Sequence, residues 1–159
     1  MNRKTARIAL MLMAAVAATV SSAAGVSLSG IDPVTGVSRT LELDQRLIHV
    51  VFFATWCPPC LAEFAALRDL EARWAPDGYH LVLVAIDLRE TGDRIARFIG
   101  DERPPGLVLF DKGGGLQNRF RVEAVPGHIL LGPGGAELFR ASSLDEGVAT
   151  AVEEHIGSR

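Results

Sequence analysis

The chain is poor in cysteine: it has two in 159 residues, Cys57 and Cys60, separated by two residues. So few cysteines exclude a small disulfide-stapled scaffold, in which several spaced bridges replace a core. Positive charge is not in excess either. A formal net charge of -3 and a pI near 5.8 give no broad attraction to nucleic acid or anionic lipid, and nucleic acid is not an expected partner. Beyond the N-terminal region no segment is long and apolar enough to span a bilayer, and there is no internal repeat. With 48% hydrophobic residues, a chain of this length can bury one core but is small for two domains.

The N-terminus has a distinct layout. Arg3, Lys4 and Arg7 precede an apolar stretch from Ile8 to Val20, followed by the small residues Ser21, Ser22, Ala23, Ala24 and Gly25. Positive, apolar and small-residue regions in that order predict a secretory signal over residues 1–24, with Ser22-Ala23-Ala24 as the cleavage motif. The apolar stretch falls short of the ~20 residues that comfortably span a bilayer, so an uncleaved membrane anchor is the alternative. Residues 25–159 then form one domain, a monomer in a periplasmic or otherwise extracytoplasmic compartment that permits disulfides. No cysteine follows the apolar stretch, so lipid anchoring is not indicated.

Patterning along the rest of the chain predicts a mixed α/β sheet. Residues 25–46 contain Asp32-Pro33 and Thr35-Gly36 between short alternating pieces, the pattern of a hairpin or edge structure. Leu47 to Ala54 is a nearly continuous apolar run, as in a strand buried on both faces, interrupted only by His49. After Cys57, the residues Leu61, Phe64, Leu67, Leu70 and Trp74 recur at helical spacing, predicting one amphipathic helix that ends before Pro76-Asp77-Gly78. Strands follow at Tyr79 to Asp87 and Leu107 to Phe110, with a short helix from Asp93 to Gly100 between them. A loop or short helix through Gln117 to Arg121 leads to Val125-Pro126. Two runs, His128 to Leu131 and Ala136 to Arg140, flank a Pro/Gly turn and predict an antiparallel hairpin. A last helix, capped by Ser142 or Ser143, carries Leu144, Val148 and Val152 on one face. The triple glycine Gly113 to Gly115 lacks the Lys-Ser/Thr of a phosphate loop and reads as a turn.

The chemistry sits in Trp56-Cys57-Pro58-Pro59-Cys60. Cys57 follows a buried strand and opens a helix, where unpaired backbone N–H groups and the positive helix end favour thiolate. It is the expected nucleophile. Pro58 and Pro59 suit a first helical turn, where a missing N–H costs little. Cys60 is placed to resolve a mixed disulfide at Cys57. As a purely structural staple the pair is poorly placed, since so short a loop contributes roughly 2 kcal/mol against ~4.7 kcal/mol for a loop of about a hundred residues. A zinc site needs two more ligands, and His49, His80, His128 and His155 form no second paired motif, so no metal and no other cofactor is expected. Covalent haem attachment needs His after the second cysteine, where this chain has Leu61.

The segment from Val50 to Glu63, with its Ala-Thr-Trp-Cys-Pro-Pro-Cys core, resembles the active-site segment of the TlpA-like branch of the thioredoxin superfamily, which includes the extracytoplasmic reductases of cytochrome c maturation. The resemblance implies a thioredoxin-like fold, a mixed central sheet with helices on both faces. It also implies a cis-proline loop at Val125-Pro126, where Val125 meets an extended substrate peptide. Many members have Thr after that proline; this chain has Gly127. Where thioredoxins keep a buried acid on the strand before the motif, this chain has Val51, while Glu63 stands at the offset where the maturation reductases carry a glutamate, implying a proton-transfer role. Trp56 is implied as a shield over the disulfide and part of the docking surface, and Trp74 as core. His128 lies near the proline loop but stands alone in the sequence. The implied activity is protein-disulfide reduction, with protein thiol or disulfide substrates such as apocytochrome c, and with a membrane thiol–disulfide reductase as electron donor. The alternatives are a disulfide oxidase or isomerase on the same fold, a copper-delivery protein, or a non-catalytic binding module. Copper delivery fits poorly with two residues between the cysteines.

Overall fold

The run Leu47–Phe53 is buried along its whole length, and its β-branched and aromatic residues suit a strand flanked on both sides. The computed structural model describes residues 27–43 and 47–157, and makes this run the strand β3. The predicted export signal over residues 1–24 lies outside the described residues. Before β3 come β1 (Ser27–Ile31) and β2 (Ser38–Glu42), an antiparallel hairpin. Its turn is held by the Asp32 carboxylate, which accepts the N–H groups of Val34 and Thr35, the short-range bonding that makes Asp a turn residue.

After β3 the chain forms α1 (Pro58–Ala62), α2 (Phe64–Trp74), β4 (Tyr79–Ile86), α3 (Gly92–Glu102), β5 (Leu107–Asp111), α4 (Gly115–Arg119), β6 (Gly127–Leu131), β7 (Glu137–Ala141) and α5 (Val148–Gly157). The seven strands make one sheet in the order β2-β1-β5-β4-β3-β6-β7. Parallel pairing of β3 with β4 and of β4 with β5 requires crossovers, supplied by α1–α2 and α3. The β6–β7 pair is antiparallel, as is β6 with β3.

Helices cover both faces. On one, Phe53 packs against Phe64 of α2 and Phe98 of α3, with ring centroids 5.7 and 5.9 Å apart; Arg73 and Glu153 join α2 to α5 over the same face. On the other, Phe52 meets Phe120, just after α4, at 6.0 Å. Among the described residues no helix is long and apolar enough to cross a membrane.

Two local expectations change. The single helix after Cys57 is two, parted at Glu63, whose backbone N–H turns back to the carbonyls of Cys60 and Leu61. The last helix starts later than a serine cap would place it. Gly147, with φ +92°, precedes Val148, and the Ser142 N–H and hydroxyl are both taken by the Glu146 carboxylate. Val148 and Val152 are buried on the face of α5 as expected, while Leu144 packs on the core from the turn before it.

Candidate active site

Strand β3, flanked by β4 and β6, ends at Phe53, and the candidate site follows within a few residues. Cys57 is extended, with φ -101° and ψ 97°, and caps α1; its Sγ accepts the backbone N–H of Cys60 at 3.3 Å. Pro58 and Pro59 fill the first helical positions, where no N–H is missed, and both are exposed. The two sulfurs are joined in a disulfide. Cys57 and Cys60 are 4% and 1% exposed, so only a sliver of Cys57 reaches the surface.

Around them lies an apolar rim. Trp56 and Leu88 are exposed, and the Trp56 indole N–H donates to the Leu88 carbonyl at 3.0 Å. Arg89, in a left-handed conformation at φ 62°, stacks its guanidinium 6.0 Å from the Trp56 ring. Behind the rim, the Thr55 N–H donates to Glu90 Oε1 at 2.7 Å, and Arg94 Nε reaches both Thr55 Oγ1, at 3.2 Å, and Glu90 Oε2, at 3.6 Å. Leu88, Glu90 and Arg94 were not singled out in the sequence; nothing short-range links them to the cysteines.

The Val125–Pro126 bond is cis. Because Phe52 pairs with Gly127, Pro126 comes level with the end of β3 and on the same rim of the sheet as the cysteines. A Cβ on Gly127 would lie 3.3 Å from Val122 Cγ1 and from the Ala124 carbonyl oxygen, so any larger residue there requires these neighbours to give way. A groove of about 400 Å³ runs beside Pro126, lined by Val122, Gly127, Arg140 and Glu146 among others.

Glu63 is neither a surface residue nor isolated. Its Oε2 lies 2.9 Å from His128 Nε2 and its Oε1 accepts the Leu144 N–H at 2.8 Å. His128 does not stand alone, as the sequence suggested: its Nδ1 is 3.0 Å from His49 Nε2, and His49 Nδ1 is 2.7 Å from the Tyr79 hydroxyl. Burial, and then the neighbouring His128, hold His49 well below its ordinary value, so it is neutral; burial likewise pushes the Tyr79 hydroxyl up, with a smaller push from Glu71. Val51 is buried, and the residue across from it in β6 is His128. His80 is exposed and His155 bonds only to its own helix, at the Ala151 carbonyl. Trp74 is partly buried against the core.

With this geometry in view, the chain matches the Redoxin family over residues 37–133, more than half its length. The chain belongs to the Redoxin family. Among curated relatives of this Redoxin chain is the thiol:disulfide interchange protein CycY of Rhizobium leguminosarum bv. viciae, 32% identical over 119 residues, 70% of this chain and 61% of that one. The thiol-disulfide oxidoreductase ResA of Oceanobacillus iheyensis is 29% identical over 94 residues, 59% of this chain and 48% of that one. The chain thus spans about half to three-fifths of the length of these relatives. Both names agree with the TlpA-like resemblance of the active-site segment. Solved structures carry the fold: StoA from Bacillus subtilis, TM-score 0.66 at 18% identity, covering 81% of this chain and 98% of that one. A thiol:disulfide interchange protein of the thioredoxin family from Chlorobium tepidum has TM-score 0.67 at 21% identity, covering 82% and 94%. The fold of this Redoxin member is thioredoxin-like.

Proposed function

We propose that this protein is an extracytoplasmic thiol–disulfide oxidoreductase that reduces disulfides in protein substrates through Cys57 and Cys60. The observation that carries the reading is the placement of Cys57 just past the end of the interior strand β3, capping a helix, with its sulfur receiving the Cys60 N–H. A backbone donor and the positive end of a helix both favour thiolate at that atom.

In the reducing direction, the Cys57 thiolate attacks a substrate disulfide, forming a mixed disulfide and releasing one substrate sulfur as thiolate. Cys60 gives up its proton, with Glu63 as the acceptor, and attacks Cys57 Sγ; the second substrate sulfur leaves and the Cys57–Cys60 disulfide closes. Two electrons pass from protein to substrate. A membrane thiol–disulfide reductase then restores the dithiol. Trp56, Pro58, Pro59 and the Val125-Pro126 loop form the surface on which an extended substrate peptide lies, the loop offering backbone hydrogen bonds. That surface is supported by the exposure of Trp56 and both prolines beside a nearly buried disulfide. Apocytochrome c is the proposed substrate and the periplasmic side of a membrane the proposed compartment, supported by the TlpA-like resemblance and by the signal-like pattern of residues 1–24.

The test is the equilibrium reduction potential of the Cys57/Cys60 couple in glutathione or dithiothreitol buffers, read by thiol alkylation. A value near about −270 mV, that of thioredoxin, supports a reductase; one near about −120 mV makes the protein an oxidase. Cys60→Ser is expected to accumulate a mixed disulfide with substrate, visible by mass spectrometry, while Cys57→Ser forms none; exchange surviving in Cys57→Ser rules the mechanism out.

A further inference from the structure

Tyr79, His49 and His128 belong to the adjacent strands β4, β3 and β6. The register pairs Tyr79 with Leu47 and Val51 with His128, so all three side chains lie on one face of the sheet, each a diagonal neighbour of the next. Glu63 meets the end of this row from the junction of α1 and α2. The four groups form one unbroken chain of contacts, at 2.7, 3.0 and 2.9 Å, and the three ring residues are at most 1% exposed. A buried polar group left unpaired is costly, and here each ring nitrogen has a partner.

The proton positions in such a chain are set from its Glu63 end, since a tyrosine hydroxyl can donate or accept. An ionised Glu63 only accepts, so His128 Nε2 carries the hydrogen. Neutral His128 then has a bare Nδ1, which must accept, and the donor is His49 Nε2–H. His49 Nδ1 is left as an acceptor for the Tyr79 hydroxyl. Every hydrogen bond points toward Glu63, and neither imidazole is free to take its other tautomer without leaving two acceptors or two donors face to face.

We propose that His128 is a positioning residue for Glu63, carrying its proton on Nε2 toward the carboxylate and braced through Nδ1 by His49 and Tyr79, and that this lock presents the Glu63 carboxylate to the proton released by Cys60. The proposal rests on the exchange mechanism above, in which Glu63 accepts that proton. His128 acts through Glu63 and does not touch the sulfurs. Partners orienting a histidine through its second nitrogen are a general means of fixing tautomer and ring direction. The other ionisable groups near the chain are Glu146, from the turn before α5, and Glu71 of α2, which lies toward Tyr79; Cys60 lies on α1.

The resolving step can be isolated by reacting the reduced full chain with dithiobis-nitrobenzoate. Cys57 thiolate takes one thionitrobenzoate and releases the other. Cys60 then loses its proton, attacks Cys57 Sγ and expels the second thionitrobenzoate in a unimolecular phase. The rate of that phase is followed against pH for the unaltered chain, His128→Leu, His128→Gln and Tyr79→Phe. Expected are a slowing of roughly tenfold near neutrality and an altered pH profile in His128→Leu, recovery of most of the rate in His128→Gln, which keeps an N–H for Glu63, and a loss of about twofold to threefold in Tyr79→Phe. A folded His128→Leu whose profile superimposes on that of the unaltered chain overturns the proposal. Nitrogen NMR of the unaltered protein tests it without any variant: both His49 and His128 should be Nε2–H tautomers, and an Nδ1–H tautomer at His128 overturns it even where the leucine variant does not fold. Should the unaltered chain release no second thionitrobenzoate at any pH, the exchange mechanism itself fails, and the tautomers still report on the lock.

Discussion

The Glu90 carboxylate accepts the backbone N–H of Thr55 at 2.7 Å, 35 positions away in the chain and two residues before Cys57. Its side chain is fully buried and its second oxygen faces Arg94 at 3.6 Å. This one acid fixes the loop that leads into the redox pair. Glu90→Ala leaves the Thr55 N–H without its acceptor and should cost about 1–3 kcal/mol, whereas Glu90→Gln keeps an oxygen there and should recover much of it. Urea denaturation of the two variants checks this; equal midpoints for Glu90→Ala and the unaltered protein would show that the bond does not hold the loop.

A second prediction concerns pH. His49 is buried and held well below its ordinary value of 6.5. Above about pH 6.5 it is neutral folded or unfolded, and contributes no pH dependence. Below that, the unfolded chain binds a proton there which the folded chain does not, so stability falls with pH until the depressed folded value is reached. Between pH 6.5 and 5 the unfolding free energy should fall with a slope of up to about one proton, and His49→Gln should flatten it. The lowered carboxylates Asp32, Glu137 and Glu146 act with the same sign but below about pH 4.5, outside this window. Equal slopes for the variant and the unaltered chain would contradict the prediction.

Two glycines separate backbone strain from collision. Gly36 and Gly106 have φ of +71° and +69°, but a Cβ on Gly36 meets nothing within 4 Å, while one on Gly106 would lie 2.6 Å from the Leu81 carbonyl oxygen. Gly36→Ala should therefore cost only the left-handed penalty, about 1 kcal/mol. Gly106→Ala should cost clearly more, since the loop into β5 must shift away from β4. Thermal melts of the pair decide it, and a Gly106→Ala melting point at or above that of Gly36→Ala would count against the clash.

The features legible in the sequence are those written over short range. The apolar run of β3, the two hairpin turns, and the Cys-Pro-Pro-Cys step from strand to helix all depend on neighbours within a few positions. Glu63 was legible only as a candidate, because the partners of its side chain, His128 and Leu144, lie 65 and 81 positions away. His49 looked like an interruption in a buried strand. Its meaning depends on the antiparallel register of β3 with β6, which brings His128 alongside and which periodicity cannot supply. The misplaced serine cap has a similar origin: Glu146 claims the Ser142 N–H and hydroxyl, and the turn is completed at Gly147.

Strand β3 lies between β4 and β6, and its two halves of the sheet are reached on different schedules. Pairing with β4 needs only the crossover that follows at once, whereas pairing with β6 joins His49 to a residue 79 positions later. In a chain delivered N-terminus first, Cys57 and Cys60 emerge well before the strand that brings Pro126 and His128 beside them. Until that strand docks, neither the cis Val125–Pro126 bond nor His128 stands beside the helix that carries the cysteines, and Glu63 has no histidine to meet. The site is therefore finished last: half of it comes with the first crossover, and the other half only with a strand drawn from the far end of the domain.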